Sequence, residues 1–283
     1  MISALNRLAD GTIEITITIP KGRVAAAYQK TLQALVKEVQ VKGFRRGKAP
    51  LARAEKEIPK TTVYEEVLKA LIPEVYLESV KEHNLKPIIN PRVTIVSLEE
   101  AKDWQIKATT CELPHIDLND YKEAVSKNFA AEKIWVPGKD KAAAPKDDNQ
   151  HLEKIFQTLV ATVKIQVPEI LIQDEVDRML SRLLDQTNQL GITVEQYLAS
   201  SNKTKDQLKA EYHQEAEKSL KLEFILGAIA DSEKIAVPEA EVDKMIAAVP
   251  DEKSRQAFTD PGQRAYIRQL LRKRQVIDNL SKL

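Results

Sequence analysis

The chain reads as a multidomain, helix-rich protein. An α+β N-terminal domain, with an antiparallel sheet and long helices, precedes an all-α C-terminal domain. Three observations predict this. Isoleucines alternate with polar residues over 12–19, the period of a half-buried strand. From about residue 151 onward apolar residues recur at the spacing of one helical face. And 283 residues is long for one core, while 43% hydrophobic, 30% charged and only 5% aromatic residues describe a chain rich in helix formers.

Ile13, Ile15, Ile17 and Ile19 share one side of the first strand, with Glu14, Thr16 and Thr18 on the other. Pro20 and Gly22 end it. Val24, Tyr28, Leu32, Leu35, Val36 and Val39 then mark a helix that Gly43 should stop. A basic loop follows, and Leu51 to Ile58 reads as a short helix ended by Pro59. Thr62 and Glu65 have the spacing of a capping box. After them Val63, Val67, Leu71, Val75 and Val80 form a stripe to about Asn84, with Pro73 expected to kink or interrupt it. Residues 93–96 and 104–111 read as two more strands, Trp104, Ile106 and Ala108 sharing a face. Residues 1–113 are therefore one domain.

Residues 114–150 hold little to bury, above all 136–150, and read as a linker. From 151 to 283 the pattern is helical. Leu152, Ile155, Phe156, Leu159, Val160 and Val163 form one stripe. Pro168 opens a second helix that ends at Gly191. Thr193 with Gln196, and Thr204 with Gln207, predict capping boxes for the next two. Helices beginning near Pro238 and Gln263 complete the domain. Val167-Pro168-Glu169 and Val237-Pro238-Glu239 echo one another, as two helix starts of one type with acids set against the dipole.

Several function classes drop out. One cysteine, Cys111, allows no internal disulfide or cysteine-rich metal site and fits a reducing compartment. His83, His115, His151 and His213 include no pair one helical turn apart. No hydrolase elbow is present. The first residues lack a signal-peptide pattern, and no apolar run is long enough to span a membrane. The expectation is a cytoplasmic protein without membrane contact, cofactor or metal, and not an enzyme.

The outstanding stretch is Gly43-Phe44-Arg45-Arg46-Gly47-Lys48-Ala49-Pro50. From 42 to 60 seven Lys/Arg face two Glu, a local excess of five charges in a chain whose net charge is +1. It is no phosphate-binding loop, because the glycine spacing is too short and Ala49 stands where a magnesium-binding hydroxyl belongs. A basic loop with an aromatic tip suits a polyanionic partner beside a protein surface.

Those eight residues resemble the ribosome-docking signature of the trigger factor family, bacterial nascent-chain chaperones, at every fixed position of Gly-Phe-Arg-x-Gly-x-x-Pro. The setting is similar too: an Ile/Thr strand, a long helix, the loop, then a helix holding Val67-Leu68. Val167 to Arg178 looks like a helix start in the family's C-terminal domain. The resemblance implies that Phe44, Arg45, Arg46 and Lys48 dock on the large ribosomal subunit. Their contacts would be an exit-tunnel ribosomal protein and adjacent ribosomal RNA, with Gly43, Gly47 and Pro50 shaping the loop. It further implies an ATP-independent chaperone: residues 1–113 bind the ribosome, and the helices of 151–283 cradle nascent or unfolded polypeptides. A homodimer off the ribosome stays open. The family's central prolyl-isomerase domain has no room in 114–150, where Phe129 and Trp135 cannot build its aromatic pocket, so no isomerase activity is expected. The alternative is an RNA-binding adaptor that uses the same loop.

Overall fold

A computed structural model of the chain describes residues 2–38, 58–99, 102–132 and 148–282. It divides into two compact units, Met1–Leu113 with Pro168–Ile170, and Pro114–Val167 with Leu171–Leu283.

The first unit is α+β. Its strands are β1 (Ile2–Arg7), β2 (Thr12–Ile19), β3 (Arg92–Ser97) and β4 (Trp104–Cys111), and its described helices are α1 (Lys21–Glu38) and α2 (Lys60–Glu82). The sheet is antiparallel, in the order β1-β2-β4-β3. The alternation of β2 does what its period predicts: Ile13, Ile15, Ile17 and Ile19 are all buried. Trp104, Ile106 and Ala108 of β4 lie in register beside them. Val24, Leu32 and Val36 of α1 and Val63, Val67, Leu71 and Val75 of α2 close the same core from the helical side. The other sheet face is polar, and Glu14 pairs there with Lys107 at 2.5 Å.

β1 is a strand the sequence pattern did not announce. It joins β2 through Leu8-Ala9-Asp10-Gly11. Gly11 takes φ +87° and donates its N–H to the Leu8 carbonyl at 3.1 Å, a left-handed position that favours glycine. Asp10 holds the turn by accepting from the Thr12 N–H at 3.0 Å and the Thr12 hydroxyl at 2.8 Å. In the same unit its Oδ2 also accepts the Glu169 N–H at 3.1 Å.

Two expectations about α2 need correcting. It begins at Lys60 with Pro59 as N-cap and no side-chain cap, so Thr62 and Glu65 do not form a capping box. Pro59 has φ −57° and its carbonyl already accepts the Val63 N–H, which starts the helix two residues earlier. The expected interruption at Pro73 is also absent: one helix runs on through it, with Val63, Val67 and Leu71 before it and Val75 and Tyr76 after it all buried. It ends with Asn84 at φ 52° and a bond from the Leu85 N–H to the Val80 carbonyl.

The second unit contains β5 (Ile116–Asp117), α3 (Tyr121–Glu132), α4 (Asp148–Thr162), β6 (Lys164–Ile165), α5 (Glu169–Gln189) from Leu171 onward, and α6 (Val194–Ser201). It continues with α7 (Lys205–Ser232), α8 (Glu239–Ala247), α9 (Glu252–Ala257) and α10 (Pro261–Leu280). It is helical apart from the two-residue pairing of β5 with β6. Both predicted capping boxes are present, Thr193 with Gln196 and Thr204 with Gln207. The helix stop at Gly191 is met by φ +70°.

The main core joins Tyr121 and Val125 of α3, Ile155 and Leu159 of α4, Ile225 and Ile229 of α7, and Val276 and Leu280 of α10. The linker expected over 114–150 is therefore corrected over 116–132. Two side chains one helical turn apart are enough to dock α3, although its sequence shows no longer stripe. Residues 133–147 lie outside the described residues.

A buried-edge carboxylate ties α3 to α7. Glu233, the C-cap of α7, accepts from the Tyr121 hydroxyl at 2.8 Å and from Lys122 Nζ at 2.8 Å. A carboxylate at a helix C-terminus meets an unfavourable dipole. The Lys122 ammonium outweighs this, and with the Tyr121 hydroxyl it holds Glu233 below the usual carboxylate range against the opposing effect of burial. Burial, then the bond to Glu233, pushes the Tyr121 phenol up.

Lys234 sits just beyond at φ 50°, where a side chain clashes with its own backbone. Replacing Lys234 by Gly should raise the stability of this unit by about 0.5–1 kcal/mol, read as a higher urea midpoint. A carboxylate with a depressed folded pKa contributes its stability above the ordinary glutamate pKa and loses it as pH falls through the folded value. Glu233→Gln should therefore lower stability by about 1 kcal/mol near neutrality and converge with the unmodified protein in acid, as measured by urea unfolding across that pH range.

Candidate functional site

All seven residues singled out for docking, Gly43, Phe44, Arg45, Arg46, Gly47, Lys48 and Pro50, lie outside the described residues. What the structure describes is their support, for the chain leaves α1 at Glu38 and enters α2 at Lys60. Arg23, near the start of α1, reaches Glu74 at 3.0 Å and grips both oxygens of Glu78 at 2.7 Å near the end of α2. The two helices are thus antiparallel, and the segment carrying the basic octapeptide joins them at the end remote from Arg23.

The hairpin is fixed to the sheet by rings as well as aliphatics. Tyr28 of α1 lies 5.3 Å from Tyr64 of α2, and Tyr64 lies 5.6 Å from Trp104 of β4, edge-on. Such pairs are worth about 0.5–1.5 kcal/mol each beyond their buried area. The Glu78 carboxylate holds the Arg23 guanidinium above its usual pKa, and Arg23 in turn lowers Glu78. Between the helices an open cleft of about 360 Å³ is lined by Ala27, Ala34, Leu35, Ala70 and Leu71 together with Lys30, Glu66 and Glu74.

A Ser–His–Glu grouping near the sheet edge looks catalytic at first sight. Ser3 Oγ lies 2.7 Å from Glu82 Oε2 and 2.8 Å from His83 Nε2. The carboxylate accepts the hydrogen bond of the serine hydroxyl instead of orienting the imidazole, unlike a nucleophile–base relay. The cluster is a strut holding β1 against the end of α2. Cys111 is buried. Among the described residues no group of His, Cys, Asp and Glu is placed to hold a metal ion, and no helix is long and apolar enough to cross a membrane.

In the helical unit several large apolar side chains face water. Leu184 of α5, Leu190 just after it, Met245 of α8, and Tyr266 and Leu270 of α10 are all exposed. Tyr266 and Leu270 stand one turn apart, so they share a face of α10. That helix is pinned by charge: Arg264 to Glu239 at 2.7 Å and Asp243 at 2.8 Å, Arg272 to Asp231 at 2.6 Å, and Lys273 to Glu223 at 2.6 Å. Its apolar residues stand on a braced surface among ions.

Comparison with known proteins agrees over both units. The family described as bacterial trigger factor protein matches residues 1–134, and that described as bacterial trigger factor protein C-terminus matches residues 139–282. This chain belongs to the trigger factor family.

Trigger factor of Pelotomaculum thermopropionicum is 35% identical over 117 residues, 41% of this chain and 27% of that protein. Trigger factor of Staphylococcus aureus strain JH9 is 32% identical over 108 residues, 38% of this chain and 25% of that protein. The chain thus spans about a quarter of the length of the curated relatives it matches. A solved structure from work on promiscuous substrate recognition in folding and assembly activities of the trigger factor chaperone shares the fold. Its TM-score is 0.67 at 12% identity, and the match covers 100% of this chain and 99% of that one.

The support of the hairpin is mainly apolar. Arg23→Met should cost at most about 1 kcal/mol, an effect that shrinks in high salt. Val67→Ala should cost about 2 kcal/mol whatever the salt. Urea unfolding at low and high ionic strength separates the two.

Proposed function

We propose that this trigger factor family member is an ATP-independent chaperone that docks at the ribosomal exit tunnel through residues 43–50 and holds nascent or unfolded chains with its helical unit. One observation carries the reading: Gly43-Phe44-Arg45-Arg46-Gly47-Lys48-Ala49-Pro50 keeps every fixed position of the family's docking signature, inside a stretch that matches the family throughout.

The chemistry of those residues suits the task. Arg45 and Arg46 pair with phosphate or carboxylate through two parallel hydrogen bonds. Phe44 adds an apolar anchor, and Lys48 adds charge without geometric demand. The hairpin of α1 and α2 supports the reading by offering a braced base for the loop.

Holding without ATP requires contacts weak enough to release. Fully burying a leucine-sized side chain yields about 1.5–3 kcal/mol before the cost of ordering the partner. A few exposed side chains of the kind found at Leu184, Leu190, Tyr266 and Leu270 therefore give weak, reversible capture of varied sequences. In this reading residues 1–113 carry ribosome binding, 151–283 carry client holding, and the protein works in the cytoplasm. The two family matches leave only residues 135–138 between them, which supports action without a prolyl-isomerase domain.

Changing Phe44, Arg45 and Arg46 together to Ala should reduce co-sedimentation with ribosomes at least about tenfold, the loss of two charge-assisted contacts and one anchor. Suppression of aggregation of an unfolded client should survive in the same variant, without added nucleotide. Unchanged ribosome binding defeats the docking assignment; no suppression by the unmodified protein defeats the chaperone assignment.

A further inference from the structure

β1 is an edge of the sheet, and its hydrogen bonding identifies which backbone groups are unused. The Leu8 N–H donates to the Thr12 carbonyl at 2.8 Å, so Leu8 and Thr12 form a hydrogen-bonded pair. Bonded and non-bonded pairs alternate along an antiparallel ladder. In the register Asn6↔Glu14, Ala4↔Thr16 and Ile2↔Thr18 are then bonded, and Arg7↔Ile13, Leu5↔Ile15 and Ser3↔Ile17 are not. The N–H and C=O groups of Ser3, Leu5 and Arg7 therefore point away from β2. Among the described residues no strand lies on that side.

Sheet edges are usually blunted by bulges, prolines or charges. The opposite edge has two such guards, a bulge between Ile95 and Ser97 in β3 and Pro91 just before it. β1 is regular over all six residues and contains no proline. Its one charged side chain, Arg7, is drawn to Glu112 at 2.9 Å. The strand is also held in place, by the Ser3 strut to Glu82 and His83 and by Leu5 packed against the core. A regular, braced and unguarded edge is a template for another extended backbone.

We propose that β1 binds an extended segment of an unfolded polypeptide as a fifth strand, through the outward backbone groups of Ser3, Leu5 and Arg7. This rests on the client-holding reading above and gives it a second mode. Main-chain hydrogen bonds read no sequence, and the exposed Ala4 and Asn6 beside the edge are too short to select one. The fitting partner is therefore any unfolded chain.

The test uses the full chain with reduced, carboxymethylated lactalbumin as the unfolded probe, and follows hydrogen exchange residue by residue by NMR. The amides of Ser3, Leu5 and Arg7 should exchange about tenfold more slowly when the probe is bound, and those of Ala4 and Asn6 should change little. Arg7→Pro removes one outward donor without touching the ladder and should weaken probe binding about fivefold. Arg7→Ala, which keeps that donor, should leave binding unchanged. Equal weakening by both variants, or exchange at the three amides that ignores bound probe, overturns the proposal. Protection that grows with protein concentration alone also overturns it, since the occupant is then a second copy. If Arg7→Pro does not fold, the exchange pattern of the unmodified protein decides. If the probe does not bind at all, the client-holding reading fails first and takes this proposal with it.

Discussion

The first unit depends on one apolar seam: the four isoleucines of β2, buried on the side of the sheet that α1 and α2 cover. Among the described residues β1 pairs with β2 alone, and the valines and leucines of both helices bury against this face. Burying one such side chain is worth about 1.5–3 kcal/mol, comparable with or larger than a surface ion pair. The Arg23–Glu78 clasp therefore aligns the hairpin, but the isoleucines and the Tyr28–Tyr64–Trp104 ring sequence hold it down.

The helical unit is organised differently. Several smaller cores, around Ile155 and Ile229, around Leu183 and Leu208, and around Val242 and Ile267, replace the single seam. Ion pairs brace the helices between them. Alongside these small clusters, side chains such as Leu184 and Tyr266 stand exposed at the surface, as the proposed holding of clients would require.

Legibility followed physics. β2 was readable because one side is buried and the other wet, so its period is clean. The capping boxes at Thr193 and Thr204 were readable because they are local exchanges between a side chain and its own turn. β1 was not: as an edge strand it exposes Ile2 and half-buries Leu5, so no burial contrast marks it. α3 was missed because only Tyr121 and Val125 dock it. Thr62 misled because Pro59 had already started the helix. The octapeptide at 43–50 was legible as a motif, since its information is its residue types and spacing; its docking role is a proposal. The open edge was invisible, since it exists only once strand order and register are known.

The antiparallel hairpin has a consequence beyond this chain's own partners. Its helices leave and return at one end; the Arg23 clasp to Glu74 and Glu78 lies at the other, while Val36, Ile58 and Val63 enter the core close to the connection. A different sequence of similar length, spliced between Glu38 and Ile58, would leave every described core residue of the unit in place.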